Sequence, residues 1–323
     1  MRVSFRLFLF IISLLLLSSC SENNYPSINE DISIAATINI KDKTISFIDI
    51  ENQKSIEEWK LEKPYNGGLI LPDADSFLLF GKDVETVDLF SLKTGTLISS
   101  WKTGKGIVNG RVLENGEVAL VDQERNAIRF FNVFGEEKEH VSTEQNPLTI
   151  FEARKSQKLY VLSYDKEQLT VIDLNSKEKL ASFPIHSSAA GAWINDNEIW
   201  IGGHGKGAEI EEYIHVYDLA TGVLKKKIKA PIMPIKFLGI DDEVFVLSHG
   251  SNNLYKLDKD GKVTESIIVG SNPFEMAFTG EYLLVAGYDS NDIYFIDPNR
   301  LEIQKTIHVG SGPFQIVLRE RKK

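Results

Sequence analysis

Seven short strands along the chain each end in a hydrophobic residue followed by a small polar one. Successive pairs are 39–45 residues apart and end at Asp49, Ser91, Asn132, Asp173, Asp218, Asp258 and Asp297. Between them lie short apolar or alternating runs separated by Gly, Asp, Asn and Lys clusters, and no segment sustains a helical period. A period near forty residues with about four strands per unit is typical of a β-propeller blade, so seven repeats predict seven blades.

The two ends of the repeat region are incomplete in a complementary way. Only one strand, residues 32–38, precedes the strand that ends at Asp49, whereas a full blade has two there. After the last pair, an outer strand reaches Val309, and residues 312–318 then form a strand without a blade of its own. We predict an all-β fold, a seven-bladed β-propeller over residues 32–323, in which the C-terminal strand completes the first blade and removes the open edges.

The last two repeats are closely similar to each other. Residues 251–258 read SNNLYKLD and residues 290–297 read SNDIYFID, and they are followed by VGSNP at 269–273 and VGSGP at 309–313. This pattern resembles the YVTN family of extracytoplasmic, quinoprotein-like seven-bladed propellers, whose repeat runs through a Ser-Asn turn, a strand ending in Ile-Asp, and Val-Gly-x-x-Pro. The tetrapeptide that names the family is replaced here by LVAG at 284–287.

The first twenty residues predict export. Arg2 and Arg6 precede an apolar run over residues 7–17, which ends in small residues before Cys20. The segment resembles a bacterial lipoprotein signal, which implies lipidation of Cys20 and a membrane-anchored protein that faces away from the cytoplasm. An uncleaved anchor and an ordinary secretory signal are the alternatives, and both also place the domain outside the cytoplasm. Residues 1–20 are thus predicted as signal peptide and the polar residues 21–31 as a flexible tether.

Charge and cysteine content exclude several classes of protein. The chain has 36 basic and 46 acidic residues, a net charge of −10, and cleavage would remove Arg2 and Arg6 to give −12. An excess of negative charge argues against nucleic acid and anionic lipid surfaces as partners. Because Cys20 is the single cysteine, the mature chain cannot form an internal disulfide, and its stability must come from burial.

One face of the propeller is the predicted functional face. Its B–C hairpins and D–A crossovers surround the mouth of the central channel, where a propeller most often offers a concave site. Aligning the repeats on the Pro of Val-Gly-x-x-Pro and taking the residue two positions later gives an inner ring: Asn66, Asn109, Thr149, Gly191, Lys236, Glu275 and Gln315. Such a ring is explained either by the polar lining that a wet channel needs or by a ligand held by amide groups and a Lys236–Glu275 ion pair.

A second set lies at the start of the B–C hairpins. This outer ring comprises Ile40, Lys82, Gln123, Tyr164, His204, His249 and Tyr288. Blades four to seven therefore present Tyr164, His204, His249 and Tyr288 in succession, amphipathic rings of the kind that recognition surfaces favour. The fifth blade also has the longest hairpin, residues 204–212, where extra length favours function. The alternative is a set of scattered solvated loop residues.

We predict no metal site and no cofactor. His204 and His249 would need further ligands, and equivalent loop residues of adjacent blades are expected to diverge too far to meet. Residues 289–292 have a calcium-like composition but lack the Gly and distal Glu of a calcium loop, so they are interpreted as a turn. The sequence contains no Gly-rich phosphate loop and no nucleophile elbow.

These features favour a non-catalytic binding or scaffold module that takes a protein, peptide or cell-envelope ligand at the channel mouth. The alternative is a lactonase-like hydrolase or lyase at the same face, which the resemblance implies and fold analogy alone supports. In that case His204 or His249 would act as acid or base, assisted by Lys236 and Glu275. An assembly scaffold without a small-molecule pocket is a third hypothesis.

Overall fold

The computed structural model describes residues 25–164, 166–230 and 232–321. Within these ranges the chain forms twenty-eight β-strands and one short 3-10 helix, Arg154–Ser156. The predicted signal peptide and Cys20 lie outside the described residues, so lipidation stays a prediction. Among the described residues, no helix has the length and apolar character needed to cross a membrane.

The strands follow one another along the chain in seven groups. Blade 1 has β1 (Ile34–Asn39), β2 (Thr44–Asp49) and β3 (Lys54–Lys60). Blade 2 has β4 (Gly67–Ile70), β5 (Ser76–Phe80), β6 (Val87–Ser91) and β7 (Leu97–Trp101). Blade 3 has β8 (Ile107–Val112), β9 (Val118–Asp122), β10 (Ala127–Phe131) and β11 (Glu137–Ser142). Blade 4 has β12 (Pro147–Ala153), β13 (Lys158–Ser163), β14 (Gln168–Asp173) and β15 (Glu178–Pro184).

The remaining strands complete the ring. Blade 5 has β16 (Ala189–Asn195), β17 (Glu198–Gly203), β18 (Tyr213–Asp218) and β19 (Leu224–Lys229). Blade 6 has β20 (Pro234–Ile240), β21 (Glu243–Ser248), β22 (Asn253–Asp258) and β23 (Val263–Ile268). Blade 7 has β24 (Pro273–Phe278), β25 (Leu283–Gly287), β26 (Asp292–Asp297) and β27 (Glu302–His308), and the last strand is β28 (Pro313–Arg319).

The last strand closes the ring as the sequence predicts. The first sheet has the order β28-β1-β2-β3, and six further four-stranded antiparallel sheets each use consecutive strands. β28 pairs with β1 from Ile34 opposite Arg319 to Asn39 opposite Pro313. The predicted seven-bladed propeller, with its first blade completed by the C-terminal strand, is therefore confirmed.

The core lies between the blades because each sheet packs against a neighbour on both faces. The second and third strands of the blades are consequently mostly buried, and β5 and β6 are buried along their whole length. Between blades 6 and 7, Phe245 and Leu247 pack with Met276 and Val285. The outermost strands face water and are rich in charge: in β19, whose sequence is LKKKIK, Ile228 is buried and the other five residues are exposed. Lysines on such edges discourage pairing with other chains.

Part of the predicted tether is bound to the propeller. The Tyr25 ring stacks on Trp59 at 4.7 Å, and its backbone N–H donates to the carbonyl oxygen of Gly95 at 2.9 Å. Ile28 is 1% exposed, and its N–H donates to the carbonyl oxygen of Leu92 at 2.8 Å. The prediction of a flexible tether is thus wrong for residues 25–31, because two apolar side chains in a polar stretch reach the cleft between blades 1 and 2.

Candidate functional site

The innermost strands of the seven blades surround a central channel. Its walls enclose a cavity of about 540 Å³, within the range of roughly 300–1,000 Å³ usual for ligand pockets. All members of the predicted inner ring line this cavity: Asn66, Asn109, Thr149, Gly191, Lys236, Glu275 and Gln315. The alignment of the repeats therefore places these residues correctly, while their role in ligand binding stays a prediction.

A β-bulge directs the ring residues into the channel. In β24 the register shifts between Pro273 and Glu275, so that Phe274 has no partner on β25. A shift at the same place occurs in five other innermost strands, β8, β12, β16, β20 and β28. Bulges bend a strand locally and redirect its side chains. In β24 and β28 the extra residues, Phe274 and Phe314, also line the cavity.

Most of the inner ring ties neighbouring blades together. The Asn109 side-chain amide donates to the Leu148 carbonyl oxygen at 3.1 Å, and the Thr149 hydroxyl donates to the Ala190 carbonyl oxygen at 2.9 Å. Gln315 accepts a hydrogen bond from the Gly68 N–H at 2.8 Å through its side-chain oxygen.

The predicted pairing of Lys236 with Glu275 is confirmed, with Nζ and Oε1 2.5 Å apart. By contrast, Asn66 has a buried side-chain oxygen without a partner among the described residues. These contacts support the interpretation of a polar channel lining and leave little of the ring free for a ligand.

Arg111 also lines the cavity, and it differs from Lys236 in having no ion-pair partner among the described residues. It lies two residues after Asn109 on β8, on the same side of the strand and about 7 Å farther along the channel. Among the described residues, no carboxylate lies within ion-pair distance of its guanidinium, and no side chain or carbonyl accepts a hydrogen bond from it. Burial lowers the pKa of Arg111, and the more distant Glu152 offsets this only in part.

The cavity therefore has an unpaired positive charge. An arginine side chain remains protonated in proteins even when burial lowers its pKa. The charges of Lys236 and Glu275 offset each other, whereas the charge of Arg111 is offset only in part by the more distant Glu152. An anionic ligand group would give this half-buried guanidinium charge-assisted hydrogen bonds.

Half-buried aromatic rings form a continuous arc beside the cavity. The His204 ring lies 5.9 Å from that of Tyr164 and 4.9 Å from that of His249. Phe274 lies 6.0 Å from His249 and 6.2 Å from Tyr288. We use the name aromatic arc for the six residues Tyr164, His204, His249, Phe274, Tyr288 and Phe314. The four outer-ring residues that the sequence singles out are thus brought together, and two phenylalanines join them.

The two histidines of the arc meet directly, so the expectation that adjacent blades would hold them apart is wrong. Their rings pack edge to face across two adjacent blades. His249 Nδ1 lies 2.8 Å from Asn272 Oδ1, and its Nε2 lies 3.2 Å from Met233 Sδ. His204 Nδ1 is buried without a partner among the described residues. Burial, reinforced by His249, lowers the pKa of His204 and favours its neutral form.

Aligning the repeats of the chain does not identify three residues of this site. Phe274 and Phe314 directly follow the repeat proline, and their aromatic character next to Pro273 and Pro313 is a signal that could have identified them. Arg111 gives a weaker signal. It follows Asn109 at a spacing of two, which places both side chains on one face of a strand, but its lack of a partner depends on residues from other blades.

No protein-family model and no curated protein matches this chain. Solved structures do share its fold. Apo AztD from Citrobacter koseri is 12% identical with a TM-score of 0.61, and the match covers 90% of this chain and 98% of that one. A functionally unknown protein from Desulfotomaculum acetoxidans is 8% identical with a TM-score of 0.74, covering 90% and 99%. The dihydro-heme d1 dehydrogenase NirN is 13% identical with a TM-score of 0.62, covering 92% and 77%.

At these identities the likeness shows the fold alone, and the proteins that share it have mixed roles. Membership of the YVTN family stays a prediction.

Proposed function

We propose that this protein is an extracytoplasmic, lipid-anchored, non-catalytic binding module whose ligand enters the central cavity from the aromatic arc. The ligand is a peptide, a protein or another component of the cell envelope, and one part of it enters the cavity. The part that enters the cavity has an anionic group and an apolar or aromatic body. The observation that supports this most strongly is the Arg111 guanidinium, which has no ion-pair partner among the described residues and lies in the wall of a ligand-sized cavity.

The remaining walls suit the rest of such a ligand. Phe151 and Phe237 line the cavity, together with Leu69 and Ile150. The aromatic arc adds half-buried rings at one side, which give contact area at a low cost in conformational entropy. A mostly apolar pocket with a few well-placed polar groups is the usual form of a small-ligand site.

The proposed location rests on the N-terminal sequence. A lipid on Cys20 would hold the propeller at a membrane surface, with the cavity facing the aqueous space outside the cytoplasm. The net negative charge of the chain disfavours nucleic acid as the partner. Arg111 instead provides a local site for a single anionic group within a surface that repels extended polyanions.

Anilinonaphthalene sulfonate, an aromatic anion, tests the proposal as a probe. We expect Arg111→Gln to weaken binding of the probe about ten- to hundredfold, since a hydrogen bond to a charged group contributes about 1.5–3 kcal/mol. Fluorescence titration measures the dissociation constant, and a circular dichroism melt checks that the variant is folded.

Arg300→Gln is the matched control, because Arg300 is exposed at the turn between β26 and β27, away from the cavity. Its probe affinity should equal that of the wild type. Equal affinities for all three proteins, or an equal loss in both variants, would contradict the assignment of Arg111.

A second candidate function is hydrolysis, which the state of His204 favours. His204 lines the cavity, and burial favours its neutral imidazole, which is the form that a general base needs. In that case ester or lactone substrates would be turned over by the wild type and by His140→Gln, whose side chain is exposed on β11, but not by His204→Gln. Absence of turnover in the wild type, combined with probe binding that depends on Arg111, favours the binding module.

A further inference from the structure

Three side chains of metal-ligand type converge in blade 5, outside the cavity. His186 lies in the crossover between β15 and β16, Glu211 in the long hairpin between β17 and β18, and His215 on β18. Their imidazole nitrogen and carboxylate oxygen atoms all lie within 4.8 Å of one another. None of the three belongs to the aromatic arc or to the inner ring.

The acid and one histidine already have the separation of two ligands on one ion. His215 Nε2 lies 3.2 Å from Glu211 Oε2. Two ligand atoms of a tetrahedral Zn²⁺ site are ~3.3 Å apart, as follows from Zn–N and Zn–O bonds of ~2.0–2.2 Å. His215 is 5% exposed, so this pair is removed from bulk water.

The third member has a free ligand atom. His186 Nε2 is buried and has no hydrogen-bond partner among the described residues. A buried nitrogen with an unused lone pair carries a desolvation cost that a bound cation would offset.

Glu211 and His186 have secondary polar contacts of the kind found around metal ligands. Glu211 Oε1 accepts hydrogen bonds from the N–H groups of Glu212 at 3.1 Å and Tyr213 at 2.9 Å, which leaves Oε2 directed at His215. His186 Nδ1 lies 3.5 Å from the Tyr217 hydroxyl. Metal-bound carboxylates and imidazoles are typically held by such secondary hydrogen bonds, which fix the ligand atom that faces the ion.

We infer that His186, Glu211 and His215 form a Zn²⁺ site that leaves a fourth coordination position open. Two imidazoles and one carboxylate suit zinc among the common divalent ions, whereas magnesium and calcium prefer oxygen ligands alone. Three protein ligands and an open position are typical of sites where the ion is exchanged or acts on a bound molecule.

Zinc binding requires a small rotation of one ring. The imidazoles of His186 and His215 are stacked, with centroids 4.0 Å apart and planes at 19°. Because a metal binds in the plane of an imidazole, two stacked rings cannot both direct a lone pair at one ion. The terminal torsion of histidine is soft, so Zn²⁺ binding would turn one ring out of this stack.

The site is joined to the channel mouth through the backbone. The Glu211 N–H donates to the His204 carbonyl oxygen at 3.1 Å, and the Met233 N–H donates to the Glu211 carbonyl oxygen at 2.8 Å. The hairpin that supplies the acid ligand therefore also positions His204 of the aromatic arc. Zinc bound to Glu211 would hold this hairpin in place.

Zinc titration of tag-free, chelator-treated protein tests the inference. Isothermal titration calorimetry should show one Zn²⁺ per chain for the wild type. His186→Gln and Glu211→Gln should each weaken binding by at least about tenfold, and Glu211→Gln keeps the side-chain oxygen that accepts the two backbone N–H groups. Co²⁺ in place of zinc should give visible absorption of a four- or five-coordinate ion, which the same two variants lose.

His140→Gln and His308→Gln are the matched controls, because both histidines are exposed and lie outside blade 5. They should bind Zn²⁺ like the wild type, and melting curves should show that all four variants are folded. Absence of stoichiometric Zn²⁺ binding by the wild type would overturn the inference. So would unchanged Zn²⁺ affinity in His186→Gln and Glu211→Gln.

Discussion

Deletion of residues 312–323 is expected to abolish the cooperative unfolding transition. These residues contain all of β28, whose pairing with β1 closes the ring. Without them β1 becomes an open edge, and Ile316 no longer fills the core between blades 7 and 1. Arg319 would also be lost, and with it the hydrogen bonds that it donates to the carbonyl oxygens of Asn29 and Ile32. Differential scanning calorimetry measures the transition directly.

A shorter deletion is the control. Removal of residues 320–323 keeps β28 and, among the described residues, removes the exposed hydrogen bond from the Arg321 N–H to the Ser33 hydroxyl. Its melting temperature should stay close to that of the full chain. If the longer deletion melted as cooperatively, and at the same temperature, as the full chain, the closure of the ring by β28 would not be needed for stability.

Replacement of Arg129 by Met is expected to lower the free energy of unfolding by about 3–5 kcal/mol. The guanidinium is 2% exposed and lies 3.1 Å from Oδ2 of Asp122, which is fully buried. It also contacts Glu137 Oε2 at 2.6 Å and donates to the Thr103 carbonyl oxygen at 2.7 Å. Its loss leaves a buried carboxylate without its main cation. Urea denaturation at neutral pH gives the difference in free energy.

A second arginine beside the Asp122 carboxylate provides a matched control. Arg125 lies 3.7 Å from Asp122, but its side chain is 58% exposed. Arg125→Met should therefore change the free energy of unfolding by only about 0–1 kcal/mol, as for other exposed ion pairs. Similar losses in the two variants would contradict the assignment of the stability to the buried pair.

The loss of unfolding free energy caused by Arg129→Met should also depend on pH. The hydrogen bond from Arg129 is the main cause that holds the pKa of Glu137 below its ordinary value. Because the pKa is lower in the folded state, this stabilisation is complete above the unfolded pKa of about 4.3 and is lost as the pH falls through the folded value. The difference between the wild type and Arg129→Met should therefore be largest near neutral pH and narrow in acid.

The sequence predicts the fold well because each blade of a propeller corresponds to one repeat of the sequence. The spacing of the seven pairs gives the number of blades, and the single strand before the pair at Asp49 shows that the first blade needs a strand from elsewhere. Aligning the repeats also places the inner ring, including the contact between Lys236 and Glu275, since equivalent positions of a repeat occupy equivalent places in the ring.

The site is predicted less completely, because much of it depends on distances between blades. The contact of His204 with His249 joins two adjacent blades, and no pattern within one repeat encodes the distance between blades. The isolation of Arg111 depends on which acids from neighbouring strands reach it. His186 and His215 are 29 residues apart, in a crossover and a strand, so their contact becomes visible only in three dimensions.

A crystal structure of the protein with bound anilinonaphthalene sulfonate would test the central claim most directly. We predict that the sulfonate lies within hydrogen-bond distance of the Arg111 guanidinium and that the rings of the probe contact the cavity wall and the aromatic arc. A probe bound elsewhere on the propeller, with Arg111 contacted by water alone, would contradict the claim that the central cavity is the ligand site.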